Sequence, residues 1–134
     1  MSKRTDREDP IQIAIVDYLR LVMPNCVVHH CRNEINKRGK AIRIELAKAK
    51  RKGVVTGFPD LLVLPFATVG PLFFEVKAEG KYATAKQREV HSKLQALGYR
   101  VAVVRSIEDV RECLVEWGVG FVEKLRGSAS DGRT

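Results

Sequence analysis

Three charged residues stand at the ends of two apolar segments. Asp60 follows Pro59 and precedes one apolar run, while Glu75 and Lys77 flank Val76 at the end of a second run. Because the side chains of a strand alternate with a period of two, Glu75 and Lys77 should emerge on one face and Val76 on the other. If the two segments pair as neighbouring strands, the Asp60 side chain reaches the same point in space.

Two converging carboxylates would form an all-oxygen site of the kind that Mg²⁺ or Mn²⁺ prefers. Lys77 adds a positive charge beside the position that a scissile phosphate would take. The spacing therefore predicts metal-dependent cleavage of phosphodiester bonds. Glu-x-Lys is also a common pattern on surface strands, so the rest of the chain has to decide.

Length, composition and charge narrow the class of protein. The chain has 134 residues, 45% of them hydrophobic and 30% charged, which is typical of one soluble globular domain. The net charge of +8 points to a polyanionic partner or an acidic membrane surface. The longest apolar stretch, 61–74, is interrupted by proline and glycine and is too short to span a bilayer, and residues 1–10 lack the apolar core of a signal peptide. We expect a cytoplasmic protein with no membrane partner and no small-molecule cofactor.

The three cysteines favour reduced thiols. Cys26, Cys31 and Cys113 are odd in number and lack Cys-x-x-Cys spacing, which argues against a disulfide framework and a structural zinc site. His29 and His30 lie next to Cys31 in a segment that resembles a strand. Adjacent strand residues point to opposite faces and cannot all bind one ion, so we predict a strand with two mixed faces.

Helical and extended patterns alternate along the chain and predict an α/β fold. The first helix is expected to have Asp9 as its cap and Pro10 at its first helical position. Alternation of this sort predicts a mixed central sheet flanked by helices, with the last strand reached by a crossover. The further predicted elements are strands at 26–31, 61–64, 72–77 and 101–104, and helices at 41–49, after Thr84 and after Ser106.

The helix that follows the Glu-x-Lys segment carries a polar residue on its buried side. Thr84 and Gln87 have the spacing of a capping box, and Val90, Leu94 and Leu97 are predicted to form the buried seam. Gln87 precedes Val90 by three residues and therefore shares the inward-facing stripe. Gln87 has two interpretations, a capping residue and a residue of the site, and the two can be combined.

A strongly basic segment lies between the first two predicted strands. Its members between residues 32 and 52 are Arg32, Lys37, Arg38, Lys40, Arg43, Lys48, Lys50, Arg51 and Lys52. Glu34 and Glu45 are the only acids there, whereas a merely soluble helix would alternate the two signs. We interpret the segment as a phosphate-binding arm, with a solvated helix face as the alternative. Aromatic residues are few, so a platform for base stacking is not expected.

Four ordered blocks make a resemblance specific. They are Gly57-Phe58-Pro59-Asp60-Leu61-Leu62, Phe74-Glu75-Val76-Lys77, Gln87, and Gly98 to Ser106. From about residue 33 to residue 114 the chain resembles the virus-type replication-repair nuclease (VRR-NUC) domain of the PD-(D/E)xK superfamily, and most of all its compact standalone members from phages and prophages. The resemblance implies a restriction-endonuclease-like core and a bacterial or phage-infected host cell.

The resemblance also implies roles for individual residues. Asp60, Glu75 and Lys77 would be the catalytic triad, and Gln87 would complete the site. The metal ligands would be Asp60 and Glu75, with the backbone carbonyl of Val76 as a candidate third ligand. Members of the superfamily often add an acid from the first helix. The candidates here are Glu8, which lies before the regular helix, and Glu34, which follows the first strand.

The standalone members are regarded as homodimers that cut branched DNA such as four-way (Holliday) junctions, which implies a branched DNA partner for this chain. Two other interpretations stay open: a nucleic-acid-binding module without catalysis, against which the intact triad argues, and a nuclease for plain duplex DNA. We expect one nuclease domain at 1–125, with a basic insert at about 32–56, and a disordered tail at 126–134. The apolar residues between Leu114 and Phe121 could be core or dimer interface, with core favoured.

Overall fold

The structure, a computed structural model, describes residues 7–31 and 39–122, with the side chains of residues 39 and 40 outside the description. Its elements are α1 (Asp9–Val22), β1 (Val27–His30), α2 (Gly39–Arg51), β2 (Leu61–Leu64), β3 (Leu72–Val76), α3 (Ala85–Ala96), β4 (Arg100–Val104) and α4 (Ile107–Glu116). Their types and order are those predicted from the sequence. Arg32, Glu34, Lys37, Arg38, the Lys40 side chain and the segment 126–134 lie outside the described residues.

The four strands form one mixed sheet in the order β1-β2-β3-β4. β2 is antiparallel to both β1 and β3, whereas β3 and β4 are parallel and are joined through α3. Leu61 pairs with Phe74 across β2 and β3. Asp60, just before Leu61, therefore lies beside Glu75, just after Phe74, so the register brings the two acids to one edge of the sheet.

One face of the sheet packs against α1 and α4. Leu72, Phe74 and Val76 of β3 alternate onto this face and join a buried cluster that includes Ile15 of α1 and Leu114 of α4. Phe74 also stacks on Trp117, with ring centroids 5.7 Å apart. This cluster fixes the end of β3, which is where the charged residues emerge.

The opposite face of β3 is covered by α3 and the loops beside it. Phe73 meets Phe58 and Tyr99 edge to face, at centroid distances of 5.5 and 5.9 Å. Glu75 is on the same face as Phe73, because it lies two residues farther along the strand. Both faces of β3 are therefore covered, and all five of its residues are buried.

Three details differ from the sequence-based expectations. The cap of α1 is Glu8, so Asp9 is the first helical residue and Pro10 the second. Pro10 is tolerated there because the first four N–H groups of a helix have no intrahelical partner. Leu97 is not on the buried seam: α3 ends at Ala96, and Leu97, the residue after it, is 73% exposed. Val115 is also exposed, although Leu114 and its other apolar neighbours belong to the core or pack against it.

The cysteines and the histidine pair behave as predicted. All three cysteines are free. His29 is exposed and His30 is half-buried, as expected for neighbours on a strand with two different faces. Among the helices of the described ranges, none has the length and apolar character needed to cross a bilayer.

Candidate active site

Asp60, the residue before β2, is held by hydrogen bonds from the ends of both neighbouring strands. Its Oδ2 accepts a hydrogen bond of 2.8 Å from the backbone N–H of Val76, and its carbonyl oxygen accepts one of 2.8 Å from the N–H of Cys31. Pro59, the residue before it, is fully buried. The Asp60 carboxylate is therefore fixed against β3, between Glu75 and Lys77.

Gly57 allows the loop before Asp60 to touch α3. Its φ of +89° lies in the left-handed region, and a Cβ at this position would stand 2.9 Å from the carbonyl oxygen of Lys86. A side chain would therefore be strained and would also push against the first turn of α3. This close approach couples the position of Asp60 to that of Gln87, one residue after Lys86.

Glu75 is a buried carboxyl group with two side-chain partners from α3. Only 1% of the residue is exposed. Its Oε2 accepts a hydrogen bond of 3.1 Å from Gln87 Nε2, and its Oε1 lies 3.0 Å from His91 Nε2. Burial is the main reason why the pKa of Glu75 is raised to about 7. The hydrogen bond with His91 lowers this pKa, and the nearby Asp60 carboxylate raises it further.

Gln87 combines the two roles that its position in the sequence suggested. It closes the capping box of α3, because its N–H donates to Thr84 Oγ1 and its Oε1 accepts from the Thr84 N–H. Its remaining amide nitrogen donates to Glu75. One side chain therefore starts the helix and also orients a candidate metal ligand.

His91 belongs to this cluster and was not identified from the sequence. It is 8% exposed and lies four residues after Gln87, so both side chains are on the same face of α3. The apolar seam drawn through Val90 and Leu94 hid this second stripe. The useful signal was a polar side chain at the i+4 position from Gln87, on a helix expected to cover a strand with a buried acid.

Asp60, Glu75 and Gln87 border a cleft of about 330 Å³. It is lined by Arg7, Glu8, Asp60, Glu75, Lys77, Ala78, Lys81, Tyr82 and Gln87. Of the two candidate helix acids, Glu8 therefore lies in the cleft, where its Oε2 accepts a 3.4 Å hydrogen bond from Ala78 N–H. Lys77 is anchored by its own N–H, which donates to the carbonyl oxygen of Val104 at 3.0 Å.

The cleft suits a hard divalent cation with an incomplete set of protein ligands. In the described ranges, no three His, Cys, Asp or Glu side chains are grouped so as to hold a metal ion. Mg²⁺ commonly uses one or two carboxylates and keeps several waters, so Asp60 and Glu75 are a sufficient protein contribution. A cation would also offset the burial that disfavours the ionised form of Glu75.

The described basic residues of the α2 region lie outside this cleft. Arg43, Lys48, Lys50, Arg51 and Lys52 are exposed. Lys50 lines a separate groove of about 640 Å³ that runs between the end of α2 and α3 and also includes Lys86 and Lys93. Lys50 of α2 and the two lysines of α3 therefore share one surface outside the candidate site.

Comparison with known proteins shows the family to which this chain belongs. The VRR-NUC domain profile matches residues 5–108. The chain belongs to the VRR-NUC family. It is a nuclease-type domain, with the α/β fold that the resemblance implied. A phage protein named "Putative nuclease p44", from Acyrthosiphon pisum secondary endosymbiont phage 1, is 35% identical to this VRR-NUC chain over 89 residues, which are 66% of this chain and 88% of that protein.

Two solved structures resemble this VRR-NUC chain over most of their length. One, a "VRR_NUC domain protein", has a TM-score of 0.64 and 26% sequence identity, and the match covers 87% of this chain and 93% of that one. The other, a "VRR_NUC domain", has a TM-score of 0.54 and 25% identity, with 81% of this chain and 94% of that one covered. The shared fold thus extends well beyond the motif residues.

Proposed function

We propose that this VRR-NUC domain is a Mg²⁺- or Mn²⁺-dependent endonuclease that hydrolyses phosphodiester bonds in branched DNA, with four-way junctions as the preferred substrate and a homodimer as the active form. The observation that carries the proposal is the fixed pair of carboxylates: Asp60 held on Val76 N–H, beside a Glu75 whose two oxygens are both held by α3.

Each residue of the cleft has one task in this proposal. Asp60 and Glu75 bind the cation, with the Val76 carbonyl as a third ligand. The bound cation would lower the pKa of a water molecule and polarise the phosphate. Lys77 orients the attacking water and stabilises the negative charge that develops on the phosphate oxygens. Gln87 and His91 hold Glu75 in the orientation that metal binding needs.

The acid from the helix side is Glu8 in this proposal. It is the residue before α1, and it lines the same cleft as Asp60 and Glu75. At this position Glu8 would add a further carboxylate to the residues that would hold the cation. Glu34 lies outside the described residues.

DNA binding would rest on exposed cations at two places. Arg7 and Lys81 stand at the cleft. The second group, on and just after α2, consists of Arg43, Lys48, Lys50, Arg51 and Lys52, and Arg32, Lys37, Arg38 and Lys40 would extend it. Contacts of this kind fix the phosphate backbone without reading the base sequence, so affinity should fall steeply with salt.

A charge-neutralising variant tests the role of the α2 cations. Changing Lys48, Lys50, Arg51 and Lys52 to Gln should weaken binding and flatten the plot of log affinity against log salt by about 0.9 for each phosphate that the variant no longer neutralises. The measurement is fluorescence anisotropy with a labelled junction over a series of salt concentrations. An unchanged slope would make this group a solvated helix face.

A homodimer follows from the symmetry of the proposed substrate. A four-way junction is resolved by two matched cuts, and two identical sites related by a twofold axis supply them. Sedimentation or light scattering of the protein on a junction gives the stoichiometry. Two chains per junction are expected, and one chain per junction would contradict the dimer.

A substrate panel separates this function from its two rivals. The purified protein is incubated with a labelled four-way junction, a flap and a linear duplex of the same sequence, each with Mg²⁺, Mn²⁺ or EDTA. We expect cutting of the junction with either metal and none with EDTA. Equal cutting of the duplex would favour a nuclease for plain DNA, and binding without cutting of any DNA would favour a non-catalytic module.

The proposal places this activity in the cytoplasm of a bacterial or phage-infected cell, where branched DNA arises.

A further inference from the structure

An exposed aromatic ring stands at the rim of the candidate active-site cleft. Tyr82 follows Lys81 in the loop between β3 and α3, and both residues line the cleft. Tyr82 is 76% exposed, more than any other exposed large hydrophobic or aromatic residue of the described ranges. At this place the ring is accessible to a ligand that enters the cleft.

The ring rests on a fixed cation. The guanidinium carbon of Arg105 lies 5.2 Å from the centroid of the Tyr82 ring. Nη2 of Arg105 donates a hydrogen bond of 2.6 Å to the carbonyl oxygen of Lys81, the residue before Tyr82. The N–H of Arg105 in turn donates to Asp109 Oδ2 at 2.8 Å, so the support comes from the start of α4.

The loop that carries the ring is held at a second point. Arg7 Nη2 donates a hydrogen bond of 3.2 Å to the carbonyl oxygen of Glu79. The loop between β3 and α3 is thus tied to both sides of the cleft, which reduces the conformational entropy that a ligand would have to remove on binding. With Arg105 over one face of the Tyr82 ring, the other face is open to solvent.

A flat π surface beside a phosphate-binding cleft is suited to a nucleobase. Every base has a π face, and base–aromatic stacking tolerates any sequence. The bases of an intact duplex are already stacked on one another, so only an unpaired base can reach the ring without an unstacking cost. The small number of aromatic residues argued against base stacking on an exposed platform, but a single subsite needs only one ring.

We propose that Tyr82, backed by Arg105, forms a subsite that stacks one unpaired nucleobase next to the scissile phosphate. The subsite rests on the proposed nuclease function and extends it, because it names the feature of branched DNA that the protein recognises. A flap offers an unpaired base adjacent to a phosphate, and the crossover of a four-way junction interrupts the base stack, whereas a continuous duplex offers neither. Stacking at Tyr82 would therefore favour branched DNA over duplex DNA.

The test measures binding with the base as its own reporter. A flap and a duplex carry 2-aminopurine beside the expected contact, Ca²⁺ replaces Mg²⁺, and a gel verifies that the DNA stays intact. Wild type is compared with Tyr82→Ala, Tyr82→Phe and the control Phe66→Ala. Phe66 is also an exposed aromatic residue, at 55%, but it borders pockets that contain no residue of the cleft.

We expect the fluorescence of the flap to be quenched by wild type, Tyr82→Phe and Phe66→Ala, and to stay high with Tyr82→Ala. The affinity of Tyr82→Ala for the flap should fall about tenfold, within the range that stacking on an aromatic side chain supplies, while its affinity for the duplex stays within about twofold. Unchanged quenching in Tyr82→Ala would overturn the subsite. An equal loss of flap and duplex affinity would overturn it as well, because the ring would then be a general backbone contact.

Failure of the subsite and failure of the nuclease function give different results. A protein that quenches through Tyr82 but cuts no DNA with Mg²⁺ or Mn²⁺ would keep the subsite and refute the nuclease activity. A protein that cuts junctions but quenches equally with and without the Tyr82 ring would refute the subsite alone. Because Tyr82 is exposed, we expect the thermal unfolding of Tyr82→Ala to match that of wild type.

Discussion

Replacing Glu75 with Gln should change how the stability of the metal-free protein depends on pH. Burial raises the pKa of Glu75 from 4.5 to about 7. Between these values the folded protein holds a proton on Glu75 that the unfolded chain has released. The contribution of Glu75 to stability is therefore fully present below about pH 4.5 and is lost as the pH rises towards 7. Above about pH 7 both states are ionised and the dependence ends.

The size of the effect follows from the size of the shift. One pH unit corresponds to about 1.4 kcal/mol, so ionising Glu75 in the metal-free fold costs on the order of 3 kcal/mol. Gln fills nearly the same volume and has no proton to lose. The difference in unfolding free energy, wild type minus Glu75→Gln, should therefore fall by about 3 kcal/mol between pH 4.5 and pH 7 and then level off.

Urea denaturation in EDTA at a series of pH values gives this difference curve. Groups that titrate in both proteins cancel to a first approximation, and Glu112→Gln, the same change at an exposed position of α4, provides the matched control. A difference curve that is flat, or that rises with pH, would refute the account of Glu75 as a buried carboxyl group.

Mg²⁺ should offset the loss of stability that ionisation of Glu75 causes in the metal-free protein. Binding of a cation requires the ionised carboxylate, so Mg²⁺ should stabilise wild type more at pH 8 than at pH 5. Glu75→Gln lacks the ligand charge and should gain little at either pH. Equal stabilisation of the two proteins by Mg²⁺ would show that Glu75 is not a ligand.

Three further comparisons test positioning and folding in this cluster and beside it. Thr84→Ala removes the cap of α3, so it should lower the stability by about 1 kcal/mol and leave the affinity for Mn²⁺, measured by calorimetry, unchanged. Gln87→Ala should lower both the stability and the Mn²⁺ affinity, because Gln87 also orients Glu75. Equal Mn²⁺ affinities of the two variants would contradict the role of Gln87 in orienting Glu75. His91→Ala removes the hydrogen bond that lowers the pKa of Glu75. The pH at which the stability difference curve levels off should therefore rise above 7, and an unchanged pH would contradict the contact between His91 and Glu75. Gly57 and Gly80 both have positive φ, but only a Cβ at Gly57 would meet Lys86. In urea denaturation, Gly57→Ala should therefore lower the unfolding free energy by about 1–3 kcal/mol more than Gly80→Ala. Equal losses of unfolding free energy would refute the close approach of Gly57 to α3.

The positions of Asp60 and Glu75 could be predicted because both depend on local rules. A strand turns alternate side chains to one face, which put Glu75 opposite Val76. The sequence placed Asp60 next to Glu75 on the condition that the two apolar runs pair, and the antiparallel pairing of β2 with β3 meets that condition. The capping-box spacing likewise predicted the start of α3 and gave Gln87 its position. The element order and mixed sheet followed from the same patterns.

What the sequence could not show depends on contacts between distant segments. His91 faces Glu75 because α3 crosses over β3 at one particular angle and height, which the i+4 spacing from Gln87 does not fix by itself. The Tyr82 and Arg105 pair joins a loop to the start of α4, 23 residues apart in the printed sequence. The exposure of Leu97 depends on where α3 stops, and helix ends are decided by the turn that follows.

The most direct test of the account is cleavage by an Asp60→Asn variant. Asn keeps an oxygen that can accept the hydrogen bond from Val76 N–H, so the loop should stay in place while the ligand charge is removed. Single-turnover cleavage of a four-way junction is measured with saturating protein and Mg²⁺, and junction affinity is measured in parallel with Ca²⁺. The account predicts an affinity within about twofold of wild type and cleavage reduced by a factor on the order of 100 or more. Cleavage close to that of wild type would contradict the central claim that Asp60 and Glu75 together form the metal site.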